Sequence, residues 1–246
     1  MLAKPVVGHP SHPRLCYTFP MTVRYLLFLI ITFGLAGFLG YSTFATARLL
    51  RTWRPERNLL LLPQENALRV ALVLVCIGLG LLSDVQPATL GWQWQHWQSD
   101  ALLGLGVGAV LALFFFTATR LLLRLGGGRY YSPSILEILL PKNRREFWLV
   151  LLAFLPSVAV EELLFRSLLI GGLSPLAPSI HLVIGVGILF GLFHSPQGLW
   201  GMTGAGLAGV IFGLLLLGTG SLTAPLVAHF VANSLQIALA MVRFRA

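Results

Sequence analysis

The stretch VAVEELLFRSLL, residues 158–169, sets Glu161, Glu162 and Arg166 in the middle of an otherwise apolar run. The run extends over approximately 147–171, long enough to cross a bilayer, because a spanning helix takes about 20 apolar residues. An ionisable side chain at the bilayer centre costs a few kcal/mol or more. Three of them within six positions need a structural or chemical reason.

The chain around this stretch has the composition of a membrane protein. Of its 246 residues 57% are hydrophobic and 10% charged, and the mean hydropathy is +0.84. A soluble domain carries about 25% charged residues. Six further apolar stretches run approximately 25–47, 67–83, 101–123, 180–196, 200–218 and 222–242. Backbone groups in lipid must be satisfied within their own segment, so stretches of this length are helices. The expected fold is all-α, a polytopic transmembrane helix bundle of about seven spans. Pro63, Pro87, Gly126–Gly128, Pro141, Pro175, Pro178, Gly218 and Gly220 mark the breaks. The second and fifth stretches are short for a full crossing.

Three regions follow from this pattern: a polar tail at 1–24, N-terminal transmembrane helices with basic loops at 25–144, and a C-terminal membrane domain at 145–242. The tail is proline-rich, and the apolar run after it is too long for a signal peptide. Met21 directly precedes that run and is an alternative start. The segment 134–146, SILEILLPKNRRE, mixes apolar and charged residues and reads as interfacial. Cys16 and Cys76 are far apart and give neither a disulfide framework nor a metal motif.

The formal net charge is +9, but the charges cluster at the ends of the apolar runs. The expected partner is therefore membrane lipid, with no nucleic acid. The first loop holds Arg48, Arg51, Arg54, Arg57 and Arg69. The third holds Arg120, Arg124, Arg129, Lys142, Arg144 and Arg145, and Arg243 and Arg245 lie near the end of the sequence. The second, fourth and sixth loops have no Lys or Arg. The positive-inside rule places the odd-numbered loops and the C-terminus in the cytoplasm. Lys4, Arg14 and Arg24 conflict mildly with an outer N-terminus. In the sixth stretch, GAGLAGVIFG at 204–213 pairs Gly204 with Ala208 and Ala205 with Gly209, which favours close helix packing.

Glu162 and Arg166 are four residues apart and share a helix face, so they can pair. Glu161 is turned about 100° away and lacks that partner. This divides the cluster into a structural ion pair and a free carboxylate suited to general-base work. Downstream, His194 follows Phe190 by four positions, and Asn233 follows His229 by four. Each feature alone has a structural alternative: a hydrogen bond between helices for the histidines and Asn233, a salt bridge for the charged trio. Together on three helices they form the inventory of a water-activating hydrolase.

The order EExxxR (Glu161, Glu162, Arg166), FxxxH (Phe190, His194) and HxxxN (His229, Asn233) resembles the CAAX-protease and bacteriocin-processing family. That family includes the type II CAAX prenyl endopeptidases and the bacterial Abi proteins. The resemblance covers roughly 145–240, and TGSLTAPLVAHFVAN at 219–233 shares the family's look. It implies an intramembrane endopeptidase that hydrolyses a peptide bond of a membrane-associated or lipidated protein or peptide. Glu161 and His194 would activate water, His229 and Asn233 would stabilise the oxyanion, and Glu162 with Arg166 would orient the site. A glutamate mechanism without cofactor is favoured. Zinc, held by Glu161, His194 and His229, is the metal-dependent alternative. The competing expectations are a non-catalytic immunity or scaffold protein of the same fold, and a transporter or channel with the charged trio lining a polar path. By residue spacing along the helices, Glu161 and His229 lie toward the outer side and His194 toward the inner, a mismatch for a shared site.

Overall fold

A computed structural model describes residues 21–50, 52, 53, 55 and 57–245. The tail through residue 20, with Lys4, Arg14 and Cys16, lies outside the described residues, as do Arg51 and Arg54. The described residues form α1 (Val23–Leu49), α2 (Pro63–Leu82), α3 (Trp97–Arg124), α4 (Ser134–Leu139), α5 (Arg144–Glu162), α6 (Ser179–Phe193), α7 (Gly198–Thr219) and α8 (Thr223–Arg245). No strand occurs among them. Six helices are long and apolar enough to cross a membrane: α1, α2, α3, α5 with its continuation, α7 and α8. The apolar α6 has 15 residues. The expected all-α bundle of about seven spans is thus observed, and its fifth stretch is the short one.

Local chemistry sets the helix ends. Thr22 caps α1 by accepting from the Tyr25 amide at 3.0 Å, as an N-cap hydroxyl does. Asn143 caps α5 by accepting from Glu146 N at 2.9 Å, and Glu146 reaches back to accept from Lys142 N at 2.7 Å. This reciprocal arrangement is a close variant of the capping box, and it turns the end of the expected interfacial segment into the start of a span. The short α4 occupies the other end of that segment. Pro63 opens α2 at its first turn, where a missing N–H costs nothing. Gly220, with φ of 67°, closes α7 in the left-handed conformation that glycine adopts freely.

Small residues bring α3 against α8. A Cβ on Gly104 would stand 2.6 Å from the Ala224 carbonyl oxygen, and one on Gly108 would stand 2.5 Å from that of Ala228. No side chain fits there, so the two backbones touch. The glycine-rich α7 packs on α6, where Gly206 and Gly209 face Gly191 and Gly187. The expected tight packing of α7 is present; the equivalent Gly-xxx-Gly pair on α3 went unread in the sequence.

The helix ends near Tyr25, Gly91 and Gly172 are tied by polar contacts. Tyr25 donates from its hydroxyl to the Gly172 carbonyl at 2.9 Å, pinning α1 to the loop after α5. The loop between α2 and α3 accepts at Gly91 O from Leu222 N at 2.8 Å. Arg24, whose position conflicted with the charge rule, pairs with Asp84 at 2.8 Å.

One departure from regularity sits on the deciding stretch. The α5 helix continues as a π-helix over Leu163–Gly171, every residue of which is buried. A π turn usually marks a functional position, because its looser hydrogen-bond ring is kept only where something requires it.

Candidate active site

The two glutamates end the α-helical part of α5, and Arg166 lies in the first turn of the π segment. Arg166 Nε stands 3.2 Å from Glu162 Oε2, and both side chains are buried. The expected pair is therefore formed. A buried pair needs its remaining donors and acceptors engaged. Arg166 Nη2 donates to the Gly209 carbonyl at 3.2 Å. Its guanidinium also lies over three rings, 4.5 Å from the Phe190 centroid, 5.2 Å from Phe212 and 5.9 Å from Phe165. Rings at these distances stabilise a desolvated cation through their negative faces.

His229 reaches the same place from α8. Its Nδ1 is 2.7 Å from Glu162 Oε1, and its Nε2 is 3.7 Å from Glu161 Oε2. Phe212 stacks on the imidazole with centroids 5.0 Å apart and planes at 24°. One imidazole thus stands between two adjacent carboxylates, with its ring plane set by a phenylalanine. Glu162 and Glu161 differ in access: the Glu162 side chain is 0% exposed and that of Glu161 31%. The buried carboxylate is held between Arg166 and His229, and the accessible one has His229 Nε2 as its neighbour.

His194 closes the turn after α6, and its Nδ1 pairs with the Phe190 carbonyl at 2.8 Å. That bond directs Nε2 away from its own backbone. The Phe190 ring lies 4.6 Å from the His194 ring, 5.9 Å from that of His229 and 5.0 Å from that of Phe165. His194 also stands within electrostatic reach of Glu161, His229 and Arg166. The depth mismatch expected from helix spacing is therefore resolved. The α6 helix is only 15 residues long, and the chain turns at His194 beside the Phe190 ring. Asn233, half-buried one turn beyond His229 on α8, makes no side-chain hydrogen bond to the described residues.

Sequence reasoning missed four contributors. Phe212 and Gly209 hold His229 and Arg166 from α7; their signal was the tail of GAGLAGVIFG, read as packing alone. The π segment had no signal in the pattern. Arg69, read as a loop residue, lies two turns inside α2.

The metal-dependent alternative requires Glu161, His194 and His229 to converge. Among the described residues no three His, Cys, Asp or Glu side chains stand together in a group able to hold a metal ion. As placed, the three do not fit a zinc site, which takes three protein ligands at about 2 Å.

Residues 143–235 match the family model described as type II CAAX prenyl endopeptidase Rce1-like. This part of the chain is similar to the CAAX-protease family. The match runs from the cap of α5 into α8 and takes in Glu161, Glu162, Arg166, His194, His229 and Asn233. Helices α1, α2 and α3 lie outside it. No curated protein and no solved structure matched the chain. The CAAX-protease-like segment is carried by a bundle of apolar helices, as in a multi-pass membrane protein.

Proposed function

We propose that the chain is an intramembrane endopeptidase in which Glu161 and His194 activate a water molecule. The observation that carries this reading is the division of labour between the adjacent carboxylates. Glu162 is sealed between Arg166 and His229, while Glu161 keeps an exposed face beside the same imidazole.

The reaction then runs as a general-base hydrolysis. Glu161 takes a proton from water as its oxygen attacks the peptide carbonyl carbon, and the carbonyl π bond becomes an oxyanion. Donors aimed at that oxygen are the largest electrostatic contribution in acyl-transfer chemistry. Asn233 Nδ2 and His229 Nε2 fill this role. The short bond from Nδ1 of His229 to Glu162 fixes the ring so that Nε2 is the nitrogen turned toward Glu161. Collapse of the intermediate breaks the C–N bond, and Glu161 returns its proton to the leaving amine. The products are a carboxylate and an amine. Glu162, Arg166 and Phe212 touch no reacting atom; they hold the imidazole.

The substrate is a membrane-associated peptide or lipidated protein, the class the family description implies. The C-terminus faces the cytoplasm, a placement supported by the basic residues of the first and third loops. The experiment is cleavage of a membrane-peptide library by purified protein in detergent, comparing wild type with Glu161→Gln, with and without chelator. Cleavage that is lost in Glu161→Gln and survives chelation supports the glutamate mechanism. Loss on chelation with recovery on added zinc would replace it. A folded wild-type protein that cleaves nothing would favour the scaffold reading.

A further inference from the structure

The α2 helix runs in the same direction as α5. Leu60, just before α2, clusters with Val150 and Phe154, while Cys76 and Leu79 cluster with Leu164 and Leu168. Arg69 falls between these two levels, at the height of Glu161, and the charge of Glu161 acts on it. Its side chain is 18% exposed, in a helix whose residues after it are apolar.

The local partners of Arg69 are weak. Nη2 lies 3.6 Å from Glu65, whose side chain is 48% exposed, and Nη1 lies 3.4 Å from Asn66 Oδ1. A pair open to solvent on one side contributes about 0–1 kcal/mol. A guanidinium has five N–H donors in a planar fork that matches a carboxylate, so most of its capacity is uncommitted. An intramembrane cation beside a general base, with spare donors, is a substrate-binding feature by default.

We propose that Arg69 binds the C-terminal carboxylate of the peptide substrate at the junction of α2 and α5. This rests on the peptidase reading, since a CAAX-type substrate ends in a free carboxylate close to its lipidated cysteine. The N-terminal spans then supply a specificity determinant that the matched family segment does not contain. Glu65 holds the guanidinium at the mouth until substrate displaces it.

The test uses an S-farnesylated fluorescent peptide ending Cys-Val-Ile-Met, as the free acid and as the C-terminal amide. Binding to full-length Glu161→Gln protein in detergent is read by fluorescence anisotropy, so turnover is not needed. The free acid binds about tenfold tighter than the amide, the effect of one charge-assisted pair. Adding Arg69→Gln brings the acid down to the amide and leaves the amide unchanged, while Arg69→Lys retains part of the preference. Thermal unfolding shows whether each variant is folded, and Glu65→Gln keeps the preference. Equal binding of acid and amide, no binding of either, or an equal loss of both in Arg69→Gln overturns the proposal. Discrimination in binding without cleavage by the protein with Glu161 intact would leave the carboxylate site standing and remove the peptidase reading.

Discussion

Replacing Arg166 by Met removes the cation while keeping most of the apolar stem. In the structure this leaves Glu162, 0% exposed, with a single partner, and takes the donor away from the Gly209 carbonyl. Breaking a buried pair by deleting one member costs about 3–5 kcal/mol. The hydrogen bond between helices adds about 0.6 kcal/mol, the average for such bonds in a membrane bundle. The loss should therefore be about 4 kcal/mol. Glu162→Gln in the same protein removes the stranded charge and still accepts from His229 Nδ1 through its amide oxygen. The double variant Glu162→Gln/Arg166→Met should then be more stable than Arg166→Met alone, by about 2 kcal/mol, a coupling typical of residues in one network. The assay is reversible denaturant unfolding in mixed micelles, followed by tryptophan fluorescence. A single-variant cost under about 1 kcal/mol, or strict additivity, would refute the claim that this pair is buried and interdependent.

Phe212→Leu removes the ring on His229 and one face of the cation cage; kcat should fall about tenfold, with a stability loss of about 1–2 kcal/mol, as read by peptide cleavage and unfolding. Gly108→Val puts a Cβ 2.5 Å from the Ala228 carbonyl, one residue before His229, whereas Gly106 has nothing within 4 Å. The first should lose about 1–3 kcal/mol together with activity, and Gly106→Val should behave as wild type in the same assays. Asn233→Ala should lower kcat by about 10²-fold with little change in KM, because an oxyanion donor acts in the transition state; an effect on KM alone would count against that role. Single cysteines at Arg57 and Gln95 of a cysteine-free protein should label from opposite sides of sealed vesicles, with Arg57 on the cytoplasmic side; the reverse result would invert the proposed topology.

The bundle was legible because hydropathy and backbone satisfaction leave a 20-residue apolar run little choice but a helix. The Glu162–Arg166 pair was legible because spacing along one helix fixes the face each residue shares. What lay beyond the sequence was contact between helices. His229 and Asn233 were read as a unit apart from the glutamates, yet His229 bonds Glu162 67 residues away. No periodicity encodes that distance. The end of α6 likewise misled a depth calculation of about 1.5 Å per residue, since α6 is only 15 residues long and the chain turns at His194. Arg69 was grouped with the first loop's basic residues because it is a charge near the start of its apolar stretch, but α2 begins at Pro63 and carries it inside the helix: the turn at Leu59–Leu61 and the Asn66 side chain, which donates to the Leu60 and Leu62 carbonyls at 2.7 and 3.1 Å, start it there.

The charges in the bundle also explain how so many ionisable groups share one place. Glu162 and Arg166, both buried, sum to zero, and Glu161 beside them keeps 31% of its side chain exposed. A neutral cluster is far cheaper to hold in low dielectric than any of its members alone. Adding Arg69 with Glu65 keeps the sum at zero, but Glu65 is the one member facing outward. A peptide carboxylate that replaces Glu65 at the guanidinium preserves neutrality while moving the balancing charge into the site. Arg69 is thus able to select an anionic chain end without raising the electrostatic cost of the bound state. The same accounting makes a substrate without that carboxylate leave Arg69 on its weak, half-exposed partner, which is why discrimination should appear in binding rather than in the chemical step.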